Sequence, residues 1–167
     1  MKITFTEDAG RARKRLECIR FLNRIKVDVG LTSSASERSR WLMALHEHGA
    51  PGAHIPARPV IAPALGTEEA REAVSRELLN PVSAANRGSR EETEAALEKA
   101  GEAGADAIRA YIDAGVPPPN APLTVSGGWI RNFSSKKPVH VAGKGFNKPL
   151  YDTGELYNDF DYEITER

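Results

Sequence analysis

Pro51, Pro56, Pro59 and Pro63 fall within one short stretch, and they limit the fold of this 167-residue chain more than any other feature. A proline has no backbone N–H and its ring clashes with a helical turn before it. Neither a long helix nor a central strand is expected from Ala50 to Ala64. Ile55, Val60, Ile61 and Leu65 are nonetheless apolar. The segment should therefore run extended, anchored against a core, between two groups of regular elements.

The elements before it are legible from period and capping. Ile3 and Phe5 alternate with polar residues and predict a short strand. Arg11–Arg24 reads as a helix, with Leu16, Ile19 and Leu22 on one side and Arg11, Arg13, Lys14, Arg15 and Arg20 on a basic face. Ile25, Val27, Val29 and Leu31 alternate with Lys26, Asp28 and Gly30, which predicts a strand. Ser34 to Glu37 has the spacing of a capping box. A helix through Trp41, Leu42, Leu45 and Glu47 should follow and stop at Gly49.

After the prolines, Thr67 is placed to cap a helix over Glu68–Leu79 that Asn80-Pro81 ends. Ser89 to Glu92 is a second capping box, opening a helix to about Ala114 that stops at Gly115. Gly101 and Gly104 weaken that helix by ~1 kcal/mol each relative to alanine. They mark either a close backbone approach or simple local weakness. Asn120 to Gly145 is rich in Pro, Gly, Ser and Lys and reads as a long loop, with Val139 and Val141 as one strand of a hairpin. Asp152, with Glu155 three residues on, should cap a short helical turn through Leu156. Phe160, Tyr162 and Ile164 then alternate in a terminal strand. The expected fold is one α+β domain over residues 1–167. It has a small, mostly antiparallel sheet packed by helices and a long extended insertion at about 120–148.

Composition narrows the chemistry. Lys+Arg and Asp+Glu both number 23, so the global basic excess of a typical nucleic-acid binder is missing. A local patch is still open to that role: the basic helix face, or Lys136, Lys137, Lys144 and Lys148 with Trp129, Phe133 and Phe146 interleaved. The plain alternative for each is a solvated surface. Aromatic residues make up 7% of the chain, which predicts a thin core and some reliance on neighbouring subunits. The single cysteine, Cys18, excludes an internal disulfide or a multi-cysteine metal site. It reads as a small half-buried apolar residue. His46 and His48 are two residues apart, which on a helix points them to nearly opposite sides, so no zinc pair is expected. Gly143-Lys144-Gly145 lacks the context of a phosphate loop. No cofactor is expected. Met1–Asp8 has no apolar run typical of a secretion signal, and no stretch nears the ~18 apolar residues of a membrane span. Synthesis in a cytoplasm is expected.

Asp152-Thr153-Gly154 has the sequence of the aspartic-protease catalytic triplet, and one copy per chain would suffice in a dimer. Only 13 residues follow Gly154, however, and long helices precede it. Capping by Asp152 is the simpler explanation.

Three pieces occur in order: Trp41 to Gly49 followed by Ile55-Pro56-Ala57-Arg58-Pro59; Pro118 to Thr124 after a long helix; and Lys148-Pro149-Leu150-Tyr151-Asp152-Thr153-Gly154-Glu155-Leu156 before a terminal strand. Together, over roughly Ile25 to Ile164, they resemble the tail-component or neck family of bacteriophage morphogenesis proteins. That family is similar to tail-completion and tail-terminator proteins. The resemblance implies a non-enzymatic structural virion protein acting in tail completion or head–tail joining. It implies a homo-oligomeric ring, a hexamer by analogy, that meets tail-tube and head-connector proteins and lies near DNA in the lumen. It brings no cofactor and no catalytic residue. The expected interface residues are Ile55, Pro56, Arg58 and Pro59 of the proline-braced segment, Trp129 and Phe133 of the loop, and Lys148, Leu150 and Asp152 of the third piece.

Overall fold

The computed structural model describes residues 8–132 and 134–167. The strand expected at Ile3 and Phe5, and residue Phe133, lie outside them. In chain order the elements are α1 (Ala9–Leu22), β1 (Ile25–Leu31), α2 (Glu37–His48), α3 (Ile61–Gly66), α4 (Glu68–Arg87) and α5 (Arg90–Ala114). Then come α6 (Pro122–Ser126), β2 (Gly127–Arg131), β3 (Pro138–Ala142), α7 (Glu155–Asn158) and β4 (Phe160–Glu166). The α+β class is as expected, but the strands form two separate antiparallel pairs, β1–β4 and β2–β3, rather than one sheet.

Short polar side chains start the longer helices by accepting from otherwise unpaired N–H groups. Asp8 does so for α1, Thr67 for α4 and Ser89 for α5. The cap of α2 is Ser36, not Ser34: its hydroxyl accepts from Ser39 N at 3.0 Å. Burial of Ala35 sets the turn later than the capping-box spacing suggests, and Ser34 meets Thr32 Oγ1 instead.

Strand β4, the last in sequence, pairs with β1, the first described, from Leu31↔Phe160 to Ile25↔Glu166. This register puts Val27, Val29 and Leu31 on the same face as Phe160, Tyr162 and Ile164, because side chains alternate along a strand. That face lies against α5. A methyl at Gly101 would sit 2.5 Å from Tyr162 Cγ, and one at Gly104 would sit 2.9 Å from Val29 Cγ2. The two glycines therefore mark the close approach of helix to sheet, and local weakness is the by-product. Tyr162 is held near its root, where it has little room to swing away. Gly101→Ala should accordingly cost roughly 1–2 kcal/mol net, overpacking outweighing the helix-propensity gain. Chemical denaturation reads this directly, and an unchanged or raised midpoint would restore the local-weakness explanation.

The core joins Met43 of α2, Val60, Ala64 of α3, Ile108 and Ile112 of α5, Leu156 of α7 and Phe160 of β4. Helices α4 and α5 pack as a hairpin through buried alanines such as Ala84, Ala85, Ala96 and Ala100. Alanine brings the helices close but contributes little area per residue, as a thin core requires.

Three expectations change. Helix α4 does not end at Asn80-Pro81 but runs to Arg87 with Pro81 buried inside it. The lost hydrogen bond and ring clash cost ~3 kcal/mol in an isolated helix, and the packing of Pro81, Ala84 and Ala85 offsets that here. The extended segment stops at Val60, because α3 accepts Pro63 in its first turn, where an N–H would be unpaired anyway. In α1 the buried residues are Cys18 and Phe21, while Leu16 and Ile19 are 47% and 36% exposed. Phe21 sets this rotation, sitting under the Arg90 guanidinium at 3.2 Å from the ring centroid.

Candidate functional site

The three sequence pieces, far apart along the chain, meet beyond the C-terminal end of α5. The proline-braced segment turns back on α2. Arg58 N donates to His46 O at 2.6 Å, and an Ala50–Ile55 bridge closes the turn. Gly49 at φ 68° allows this, since a Cβ there would meet Ala57 N at 2.7 Å. Arg58 is 6% exposed. Its Nε donates to Pro118 O at 2.8 Å and its Nη2 to Pro119 O at 3.0 Å, so one planar guanidinium ties the first piece to the second.

Lys144 ties the second region to the third. Its Nζ donates to the carbonyls of Lys148 and Tyr151, both at 2.6 Å. Burial lowers the Lys144 pKa, with Asp152 pulling it up and Arg58 pushing it down. Lys148 Nζ in turn meets Asp113 Oδ1 at 2.6 Å, and Tyr157 donates to the other carboxylate oxygen at 2.9 Å. The Lys148 hydrogen bond, then that of Tyr157, holds Asp113 below the usual carboxylate range. Glu155 reaches across to α2, accepting from Ser36 Oγ at 2.9 Å and pairing with Arg38 at 3.7 Å.

Around these ties lies a cavity of about 450 Å³, with His46, Asn120, Lys144 and Asp152 on its wall. A neighbouring groove of about 800 Å³ shares His46 and Asn120. His46 Nδ1 and Asn120 Nδ2 are buried without a hydrogen-bond partner among the described residues. Burial, then the nearby charges of Arg58 and Lys144, pushes His46 below its ordinary 6.5. The folded state thus resists a proton that the unfolded chain accepts. Stability from this residue is complete above about pH 6.5 and drains away as pH falls below it. His46→Gln should flatten that part of the pH–stability curve between pH 7 and 5. An equally steep fall in the variant would assign the loss to other groups.

From this framework the β2–β3 hairpin projects as an arm. Its root is fixed on α6 by Lys144 N to Thr124 O at 3.0 Å and Gly145 N to Val125 O at 2.9 Å. Every described residue from Trp129 to His140 is exposed. Trp129 is 71% exposed and touches His140 edge-on across the strands. The loop expected at 120–148 is therefore a short helix and a hairpin.

The expected interface residues divide. Pro56, Pro59, Trp129 and Asp152 are exposed, and Ile55 and Lys148 are half-buried. Arg58 and Leu150 are buried, which corrects their assignment to the surface. Arg58 goes inside to reach the proline carbonyls, and Leu150 goes inside to join the core. Asp152 does not cap α7 either: Gly154 at φ 89° occupies that position, and Thr153 Oγ1 faces Glu155 N at 3.4 Å. Sequence reading missed His46, Asn120 and the tethering role of Lys144. Gly143 and Gly145 around that lysine hinted at a tight turn, and its partners are carbonyls without a sequence signature.

The remaining patches carry less. On α1, Arg13 pairs with Glu17, and Arg15 Nε donates to Asn86 O at 2.7 Å, so part of the basic face is engaged within the chain. No group of three His, Cys, Asp or Glu side chains suited to a metal occurs among the described residues, and no described helix is long and apolar enough to cross a membrane. Compared with known protein families, curated proteins and solved structures, the chain has no match.

Proposed function

We propose that this chain is a structural virion protein of the bacteriophage neck or tail, working in tail completion or head–tail joining as one copy of a homo-oligomeric ring. The sequence resemblance supplies the class. The observation that carries the assembly role is the arm. An isolated two-stranded hairpin is marginal in water, and this one has Trp129, Ile130 and Val139 in solvent at 71%, 39% and 42% exposure. Such a hairpin gains most from a partner's surface. Two residues within the pieces that resemble the family have a physical part in this: Arg58 holds the carbonyls of Pro118 and Pro119, and Asn120 N donates to Asn147 Oδ1, with Lys144, outside those pieces, tying the same root to Lys148 and Tyr151. No step of bond making or breaking is assigned to any of them.

The test is direct. Replacing Trp129–Val141 by a two-residue Asn-Gly turn should leave a folded, helical protein with the mass of a monomer by light scattering. The unaltered chain should have the mass of a ring. In a phage that depends on this chain, the same replacement should leave heads and tails unjoined. Full infectivity, or an unaltered chain that stays monomeric at high concentration and is absent from virions, would remove the reading.

A further inference from the structure

Resting on that ring reading, we infer that the arm of one copy seats in the groove between α4 and α5 of the next, so that the contact is head-to-tail. The groove measures about 590 Å³. Its walls are Ala70 and Ala73 of α4 with Ala107, Ala110 and Tyr111 of α5, and its rim carries Glu69 and Asp106, the latter paired with Arg109 at 2.6 Å. Alanine walls leave room that a large side chain from outside can fill.

The arm has the matching chemistry. Between Ala114 and Tyr151 the chain has Arg131, Lys136, Lys137, Lys144 and Lys148 and no acidic residue at all. The rest of the chain therefore holds 18 basic against 23 acidic side chains. A neutral chain is thus split into a basic projection and an acidic body, and each suits the other on a second copy. Lys136 and Lys137 sit at the exposed end of the hairpin, while Lys144 and Lys148 are engaged at its root. Midway along the hairpin, opposite His140, stands Trp129, the large exposed aromatic that a desolvated pocket favours as an anchor.

Arm and groove are different patches on one molecule. A contact between them is heterologous, and repetition through a fixed rotation closes a ring or extends a filament. The hairpin's own packing runs through α6, with α4 and α5 left to each other, the sheet, α1 and α3.

The experiment uses three variants of the full chain: Trp129→Ala with Lys137→Glu on the arm, Ala110→Arg in the groove, and Glu69→Lys on its rim. Ala110, Glu69 and Lys137 are exposed, and circular dichroism checks that each variant keeps its helix. The arm variant and the Ala110→Arg variant should each weaken self-association roughly 30-fold or more. Glu69→Lys should weaken it less and with a strong salt dependence. Mixed one to one, the arm variant and the Ala110→Arg variant should form a heterodimer by native mass spectrometry. One intact arm still meets one intact groove in that pair. A ring that forms normally with Ala110→Arg and Glu69→Lys, or a mixture that stays monomeric, overturns the arm–groove contact while leaving the ring reading intact. Loss of DNA retention by Lys137→Glu with assembly untouched would reassign the arm to nucleic acid and also overturn it. An unaltered chain that never oligomerises would instead sink the ring reading itself.

Discussion

Arg58→Met should lower stability by about 3 kcal/mol in chemical denaturation. Methionine keeps most of the buried stem, so little cavity opens. What disappears is the guanidinium that donates to Pro118 and Pro119 at 2.8 and 3.0 Å. A hydrogen bond involving a charged group contributes roughly 1.5–3 kcal/mol, and a carbonyl left without its partner costs further. Arg58→Lys should recover at most part of the loss, because an ammonium cannot present two parallel donors. The effect extends to assembly. The proline carbonyls lie just before Asn120 and α6, on which the arm is rooted, so the proposed ring should weaken although Arg58 itself is buried within the chain. A loss below about 1 kcal/mol would mean water replaces the guanidinium, and the bracing role would fall.

Phe160→Ala should be more severe, at roughly 3–5 kcal/mol. Phe160 is fully buried, opens β4 opposite Leu31 and touches the core shared by α2, α3, α5 and α7. Its removal leaves a cavity where several elements meet and no single one can collapse inward. Domains of this size have only ~5–15 kcal/mol to lose, so the variant should sit near its unfolding threshold. In the proposed ring, assembly would add stability by mass action. The variant should therefore melt lower still when combined with the Asn-Gly replacement of the arm. A loss under about 1.5 kcal/mol would show that the core repacks around the gap.

Much of the fold was legible because it depends on neighbours within four residues. The bounds of α5, the stop of α2 at Gly49, the strand at Ile25–Leu31 and the terminal strand follow from period, hydroxyl caps and stop glycines, all of which act locally. Cys18 as an apolar residue and the hairpin strand with Val139 and Val141 were legible for the same reason. The candidate site was legible only as three sequence pieces. Their meeting depends on one arginine finding two carbonyls about sixty positions away, and backbone carbonyls are the same at every residue.

By itself, then, the sequence determined α1, α2, α5, β1 and β4 as elements, the single-cysteine chemistry and the charge balance. Tertiary structure decided the rest. It kept α4 continuous through Pro81, turned α1 onto Cys18 and Phe21, folded the supposed loop into an arm and buried Arg58 and Leu150. For Pro81, Cys18, Phe21, Arg58 and Leu150, burial against a distant element outweighs a local preference worth ~1–3 kcal/mol, whereas the arm forms by the pairing of β2 with β3, and such partners leave no mark on the residues next to them.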